Sequence, residues 1–264
     1  MNLGLQGKLA AVSGSTAGIG LAIAATLAEE GARVVINGRT QARVDAALQT
    51  LRLNNRGAEF TGVTADLGTS SGIEKFVEAV PTADILVNNL GIFEVKPFLE
   101  ISDDDWHRFF DVNVLSGVRL SRQYLPHMLK RNWGRIIFIS SESAQQIPVE
   151  MVHYGMTKTA QVAVANGIAR SVAGTGVTAN SILVGPTASE GVGNFLRDMA
   201  RQQGLSAAEM EKQFFEKARP SSLLKRFETP EEIATIVAFI AGTQAALING
   251  AAVRADGGVV QSIL

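Results

Sequence analysis

Cysteine is missing altogether from this chain of 264 residues, so disulfides and thiolate metal sites are excluded and a reducing compartment, the cytoplasm, is expected. Histidine is almost as scarce. His107, His127 and His153 are the three present, none of them paired at the i, i+4 spacing of a helical zinc site, and no metal is expected. No stretch approaches the roughly 18 consecutive apolar residues of a membrane span, and the opening MNLGLQGKLAAVSG lacks the basic segment and apolar run of a secretory leader. Nor is there an excess of either charge. A formal net charge of -1 removes the electrostatic reason to bind nucleic acid or an acidic membrane, so neither is expected as a partner.

What the chain has in quantity is apolar residues, 46% of the total, enough for a large core. Short β-branched runs alternate with helix-period segments, the pattern of βα units that build a parallel sheet. The candidate strands are Lys8–Ser13, Arg33–Asn37, Glu59–Thr64, Ile85–Asn88, Arg135–Ser140, Val177–Leu183 and Ala252–Ala255. Each is nearly all apolar, as strands covered on both faces should be. The expected fold is α/β, a seven-stranded parallel sheet flanked by helices on both faces, in a single domain over 1–264. α/β domains of about 250 residues are common. Val44, Ala47, Leu48 and Leu51 make one apolar stripe after the capping residue Thr40. Thr229-Pro230-Glu231-Glu232 is a capping box with proline at the first helical position. The interval at about 187–228 has no clear strand and reads as a mobile helical cap over a substrate.

The first strand runs into Gly14-Ser15-Thr16-Ala17-Gly18-Ile19-Gly20 and then an alanine-rich helical segment. Glycines at a strand-to-helix turn let backbone amides approach a pyrophosphate, which the helix N-terminus also favours; a tight turn alone is the plainer reading. After the second strand comes Asn37-Gly38-Arg39-Thr40. It lacks the acid that would bind an adenosine 2′-OH, and Arg39 is free to pair with a 2′-phosphate or to stand solvated. Tyr154 and Lys158 lie four apart, on one face of a helix starting near His153. A nearby ammonium stabilises phenolate, so Lys158 is expected to draw the Tyr154 pKa down from about 10 towards the working range of an acid/base. Ser141 lies thirteen residues upstream, beyond the fifth strand, where open α/β sheets gather ligands. Asn113 shares an otherwise apolar helical face with Trp106, Phe109, Phe110 and Gly117, and a buried amide there needs partners.

The GxxxGxG turn, Asn88-Asn89-Leu90-Gly91, the Tyr154–Lys158 pair, Gly185-Pro186-Thr187 and Asp256-Gly257-Gly258 occur in an order that resembles the short-chain dehydrogenase/reductase family from about Lys8 to Gly258. Ser13, Leu90 and Val184 stand where the family usually has threonine, alanine and proline. The resemblance implies a Rossmann fold and a catalytic tetrad of Asn113, Ser141, Tyr154 and Lys158, with Ser141 preferred to Ser140 and Ser143. It implies that Asp66 and Leu67 hold the adenine and that Asn89 and Gly91 line the cofactor, with Asn88 and Asn89 also readable as buried turn residues. Pro186 and Thr187 would meet the nicotinamide carboxamide, Lys158 would also hold the nicotinamide ribose, and Asn113 would hold a water relaying protons to Lys158.

The function so implied is an NADP(H)-dependent oxidoreductase interconverting a ketone or aldehyde and an alcohol on a small molecule, with NAD(H) as the alternative cofactor. Candidate substrate walls are Phe93, Glu94, Ser143, Gln145, His153, Val184 and Phe195, His153 being equally readable as a surface residue. Rival readings are an NAD-dependent alcohol or sugar dehydrogenase, a 3-oxoacyl-carrier-protein reductase and a nucleotide-binding regulator without turnover. Asn132 and Thr175 stand where carrier-binding relatives usually present arginines, which disfavours the second, although Arg131 is nearby. By resemblance the chain is expected to form a homotetramer, or a dimer, through helices at Ser102–Lys130 and Tyr154–Ala173.

Overall fold

The expected strands all form and lie side by side. They are β1 (Leu9–Val12), β2 (Arg33–Gly38), β3 (Phe60–Thr64), β4 (Ile85–Asn88), β5 (Gly134–Ser141), β6 (Val177–Val184) and β7 (Ala252–Ala255). In this computed structural model, which describes residues 2–193, 200–201 and 204–263, they pair in parallel in the order β3-β2-β1-β4-β5-β6-β7. Register is tight at the centre, with Val12 beside both Ile36 and Val87. Every residue of β5 and β6 is buried, as central parallel strands require. β7 departs from that expectation: as an edge strand it is partly exposed along its length.

The intervening helices are α1 (Gly18–Glu29), α2 (Gln41–Asn54), α3 (Ser70–Ala79), α4 (Asp103–Phe110), α5 (Ser116–Lys130), α6 (Val152–Ser171), α7 (Ala207–Gln213) and α8 (Pro230–Ala241). Alternation along β2 sends Val34 and Ile36 to one face and Val35 to the other. On the first face Ile23 and Leu27 of α1 and Val237 and Ile240 of α8 pack on Val12, Ile36 and Ile139. On the second, Phe76 of α3, Leu120 and Tyr124 of α5 and Ala165 of α6 pack on Val35, Leu86 and Phe138. Each fully buried side chain of this kind contributes about 1.5–3 kcal/mol. The predicted caps are in place. Thr40 accepts from the Arg43 amide, and Thr229 and Glu232 complete a reciprocal box.

The helix expected to run unbroken over Ser102–Lys130 is divided. Residues Asp111–Leu115 form a π turn between α4 and α5, and the wider turn shifts the register of the apolar face. Phe109 and Asn113 are buried, whereas Phe110, expected beside them, faces solvent. The segment between β6 and α8 carries α7, a second π turn at Phe214–Ala218 and a cluster of Phe214, Phe215 and Phe227. Its two ends are tied together by Glu228 N–H to Pro186 O at 2.9 Å and Ala188 N–H to Glu228 O at 2.8 Å. Among the described residues, no helix is long and apolar enough to cross a membrane.

Candidate active site

A cleft of about 1030 Å³ opens at the carboxyl ends of the strands, lined by the segments that follow β1, β2, β4, β5 and β6. This is where an open α/β sheet gathers a ligand, because the strand order reverses between β1 and β4.

At one end the glycine loop is held by side-chain amides. Asn89 Nδ2 donates to Ser13 O at 3.1 Å and Gly14 O at 2.9 Å. Asn37 Oδ1 accepts from Gly14 N–H at 3.2 Å, while its Nδ2 donates to Val63 O and Ala65 O. One buried amide therefore couples the loops after β1 and β3. Gly14 takes φ +59°, and a Cβ on Gly20 would stand 2.5 Å from Asn89 Nδ2 and 2.6 Å from Gly14 O, so the loop needs glycine at both positions. α1, like α5 and α6, has no side-chain N-cap, and its first turn, Gly18 to Gly20, lines the cleft. Its first amides are left for an anion at the cleft, and this cradle fits a dinucleotide pyrophosphate.

The predicted adenosine contacts divide. Leu67 lines the cleft with Ala65. Asp66 is exposed and is not on the wall; its carboxylate closes its own loop on Gly68 N–H. Asn88 is directed into the core, donating to Ser121 Oγ at 3.2 Å. Arg39 is exposed on the rim. Arg43, one helical turn on, lines the same rim and pairs with Glu190 at 2.8 Å, a second cation that motif reading passed over.

At the other end the cleft gathers Ser141, Tyr154 and Lys158 on its wall, with Asn113 behind them. Lys158 is 5% exposed, and its Nζ donates to Ile139 O at 2.9 Å and Gln161 Oε1 at 3.3 Å. Desolvation lowers its pKa to about 8. Asn113 pairs with Ile92 through both side-chain atoms and also donates to Thr157 Oγ1. Its own carbonyl, within the π turn, accepts Gln161 Nε2 at 2.6 Å. Gln161 thus joins Asn113 directly to Lys158. Its only sequence signal was its place on the Tyr154–Lys158 face of α6. Gly91 passes close to this network, with room for a Cβ 3.4 Å from Lys158 Nζ.

The expected lowering of the phenol is reversed. Desolvation within the cleft pushes the Tyr154 pKa up; the Ser141 hydroxyl draws it back down, Glu142 raises it and Arg219 lowers it. Lys158 Nζ stands 5.5 Å from the ring centre and is engaged by Ile139 O and Gln161, which explains its weak hold on the phenol. Pro186 and Thr187 line the cleft, Thr187 Oγ1 donating to Gly185 O at 3.0 Å. Below them Gly185 N–H donates to the buried Glu228 carboxyl at 3.1 Å, and desolvation raises that carboxyl to about 7.

Of the candidate substrate walls, Phe93, Ser143 and Val184 line the cleft. Glu94 does not: it pairs outside with Arg108. Gln145 is exposed and off the wall. His153 is neither a wall nor a surface residue; it is fully buried against Phe109, ring centres 4.0 Å apart, and desolvation lowers its pKa. Phe195 lies outside the described residues. Motif reading missed Glu142, Met151, Phe214 and Arg219, all on the wall. Among the described residues, no cluster of three or more His, Cys, Asp or Glu side chains could hold a metal.

Residues 8–200 match the short chain dehydrogenase family. The chain is 46% identical to the uncharacterized oxidoreductase YvaG of Bacillus subtilis over the full length of both. It is 33% identical to the 3-oxoacyl-[acyl-carrier-protein] reductase FabG of Aquifex aeolicus, covering 98% of this chain and all of that one. Among solved structures, L-sorbose reductase from Gluconobacter frateurii, complexed with NADPH and L-sorbose, superposes with a TM-score of 0.94 at 30% identity, covering all of both chains. An actinorhodin polyketide ketoreductase with NADPH superposes at 0.85 and 28% identity, over 96% and 97% of the two chains. The chain is an oxidoreductase and belongs to the short-chain dehydrogenase/reductase family.

Proposed function

We propose that the protein is an NADP(H)-dependent carbonyl reductase that interconverts a ketone or aldehyde and an alcohol on a small molecule. The observation that carries this reading is the convergence of Ser141, Tyr154 and Lys158 on one wall of the dinucleotide cleft. Bound NADPH supplies a hydride to the carbonyl carbon. The Tyr154 phenol holds the carbonyl oxygen and gives it a proton, joined by Ser141 once its hydroxyl turns from Glu142 Oε2 to that oxygen; oxidation of the alcohol returns the proton to Tyr154. Lys158, fixed by Ile139 O and Gln161, keeps its ammonium 5.5 Å from the Tyr154 ring centre and would also hold the nicotinamide ribose. Asn113 and Gln161 hold that ammonium in place and lead away from it as a hydrogen-bonded path.

NADP(H) is favoured over NAD(H) because the β2 end carries no acid and offers Arg39, with Arg43 beside it, to a 2′-phosphate. The two NADPH-bound neighbours support the same choice. An acyl-carrier substrate is less well supported. Asn132 Oδ1 accepts from Gly176 N–H in the loop after α6, and Thr175 Oγ1 donates to Val172 O within that loop, so both side chains are already engaged. Arg131 is the remaining cation there and faces Asp84 at 3.6 Å. A homotetramer is proposed, to be tested by light scattering of the eluting protein.

The test of function is consumption of NADPH and of NADH against ketones, diketones, quinones and acyl thioesters, with Tyr154→Phe alongside. NADPH-linked turnover that the substitution abolishes is the expected result. Tight NADPH binding without reduction of any carbonyl, or oxidation of any alcohol, would instead favour a nucleotide-binding regulator.

A further inference from the structure

Two acids and one arginine, none of them a member of the tetrad, stand at the reaction end of the cleft. Glu142 directly follows Ser141 where β5 enters a short 3₁₀ turn, and it is 4% exposed. Its Oε2 accepts from Ser141 Oγ at 2.9 Å and from Ser143 Oγ; its Oε1 accepts from Arg219 Nε at 2.6 Å. Arg219 reaches in from the segment after α7, its side chain 11% exposed and set over the Phe214 ring. Its Nη1 donates to Ala218 O and lies 3.6 Å from the Glu150 carboxylate. One guanidinium is thus shared by two carboxylates, which leaves this trio with one negative charge in excess. Burying such a pair carries a desolvation penalty of several kcal/mol per ion, and hydrophobic residues of similar volume would fill the space without it.

We propose that Glu142, held by Arg219, is a specificity-determining residue that rejects substrates bearing a carboxylate next to the reacting carbonyl and selects uncharged, hydroxyl-bearing carbonyl compounds. The inference rests on the proposed reductase function and names its substrate class. A 2-oxo or 3-oxo acid whose carbonyl oxygen meets Ser141 and Tyr154 brings its carboxylate against Glu142 and Glu150, and like charges in a partly desolvated site repel strongly. Arg219 offsets this only in part, its Nε being bonded to Glu142 and its Nη1 lying 3.6 Å from Glu150. A substrate hydroxyl in that position donates to the carboxylate instead.

The test compares kcat/KM with NADPH for hydroxyacetone against pyruvate and for erythrulose against acetoacetate, in the wild type and in Glu142→Gln, Glu142→Asp and Arg219→Gln. The wild type is expected to favour the neutral member of each pair by at least about tenfold, since a like-charge contact costs several kcal/mol. Glu142→Gln should narrow that ratio by about tenfold or more. Glu142→Asp should keep it, and Arg219→Gln, leaving both acids unopposed, should widen it. Because the readout is a ratio, a general loss of activity leaves it unmoved; should Glu142→Gln fail to fold, the other two variants carry the test. An oxo acid preferred by the wild type, or a ratio indifferent to charge at position 142, overturns this inference and leaves the reductase reading intact. NADPH binding without turnover of either class overturns both.

Discussion

The two ends of the cleft are built by different means. At the nucleotide end the working groups are backbone amides, and the buried side chains that hold them, Asn37 and Asn89, are neutral. The charges there, Arg39 and Arg43, stand on an exposed rim. At the reaction end the order is inverted. Lys158, Glu142 and Arg219 are buried or nearly so and carry charge into the cleft wall. A site for a large anion needs directed amides and little else. Proton transfer needs titratable groups whose surroundings set their protonation, and that needs desolvation.

The contrast is sharpest under substitution. Tyr154→Phe should leave NADPH affinity near the wild-type value and reduce kcat by about a hundred- to ten-thousandfold, the range for removing a general acid; paired nucleotide binding and turnover assays check it. Arg39→Asp acts on the opposite end and should shift cofactor preference towards NADH by about ten- to a hundredfold, the loss of one charge-assisted contact to phosphate. If kcat/KM for NADPH and NADH moves together, Arg39 is not the determinant and Arg43 is the next candidate. Gly20→Ala places a methyl against Asn89 Nδ2 and the Gly14 carbonyl. About 1–3 kcal/mol of stability should be lost, with weaker NADPH binding, read from chemical denaturation and fluorescence titration.

The remaining effect is on stability alone and concerns Glu228, between the two ends beneath Gly185. Its carboxyl is raised from 4.5 to about 7 by desolvation, with Asp256 adding to the rise. Between those values the folded chain holds a proton that the unfolded chain has released. The resulting stabilisation is fully present below the unfolded value and is lost as pH rises through the folded one, on the order of a few kcal/mol in total. Thermal midpoints should therefore fall between about pH 4.5 and about pH 7 for the wild type, and Glu228→Gln should flatten that slope. An unchanged slope would place the dependence elsewhere.

The same contrast governs how much could be read before the fold was known. Glycine spacing and the Tyr154–Lys158 interval are imposed by backbone geometry, so Gly14 to Gly20 and the α6 pair were legible directly. The strands were legible because a sheet covered on both faces needs unbroken apolar runs, and β7 read correctly as a strand although its edge position left it exposed. The π turn at Asp111–Leu115 was not legible, because the apolar period continues across it and assigns Phe110 to the buried face. Glu142 and Arg219 are 77 residues apart, and no local pattern announces their meeting. His153 misled for a related reason: its chemistry suggested a substrate contact, while its backbone position on α6 directs it at Phe109.

The hydride transfer proposed for this cleft, under the control of Tyr154, leaves an isotopic signature. The most direct measurement supplies NADPH deuterated at the transferring position of nicotinamide C4 and follows the label by mass spectrometry and NMR. Deuterium is expected on the carbinol carbon of the alcohol product, in proportion to NADPH consumed, with the rate collapsing in Tyr154→Phe. NADPH bound at full occupancy with no label transferred to any carbonyl compound would contradict it.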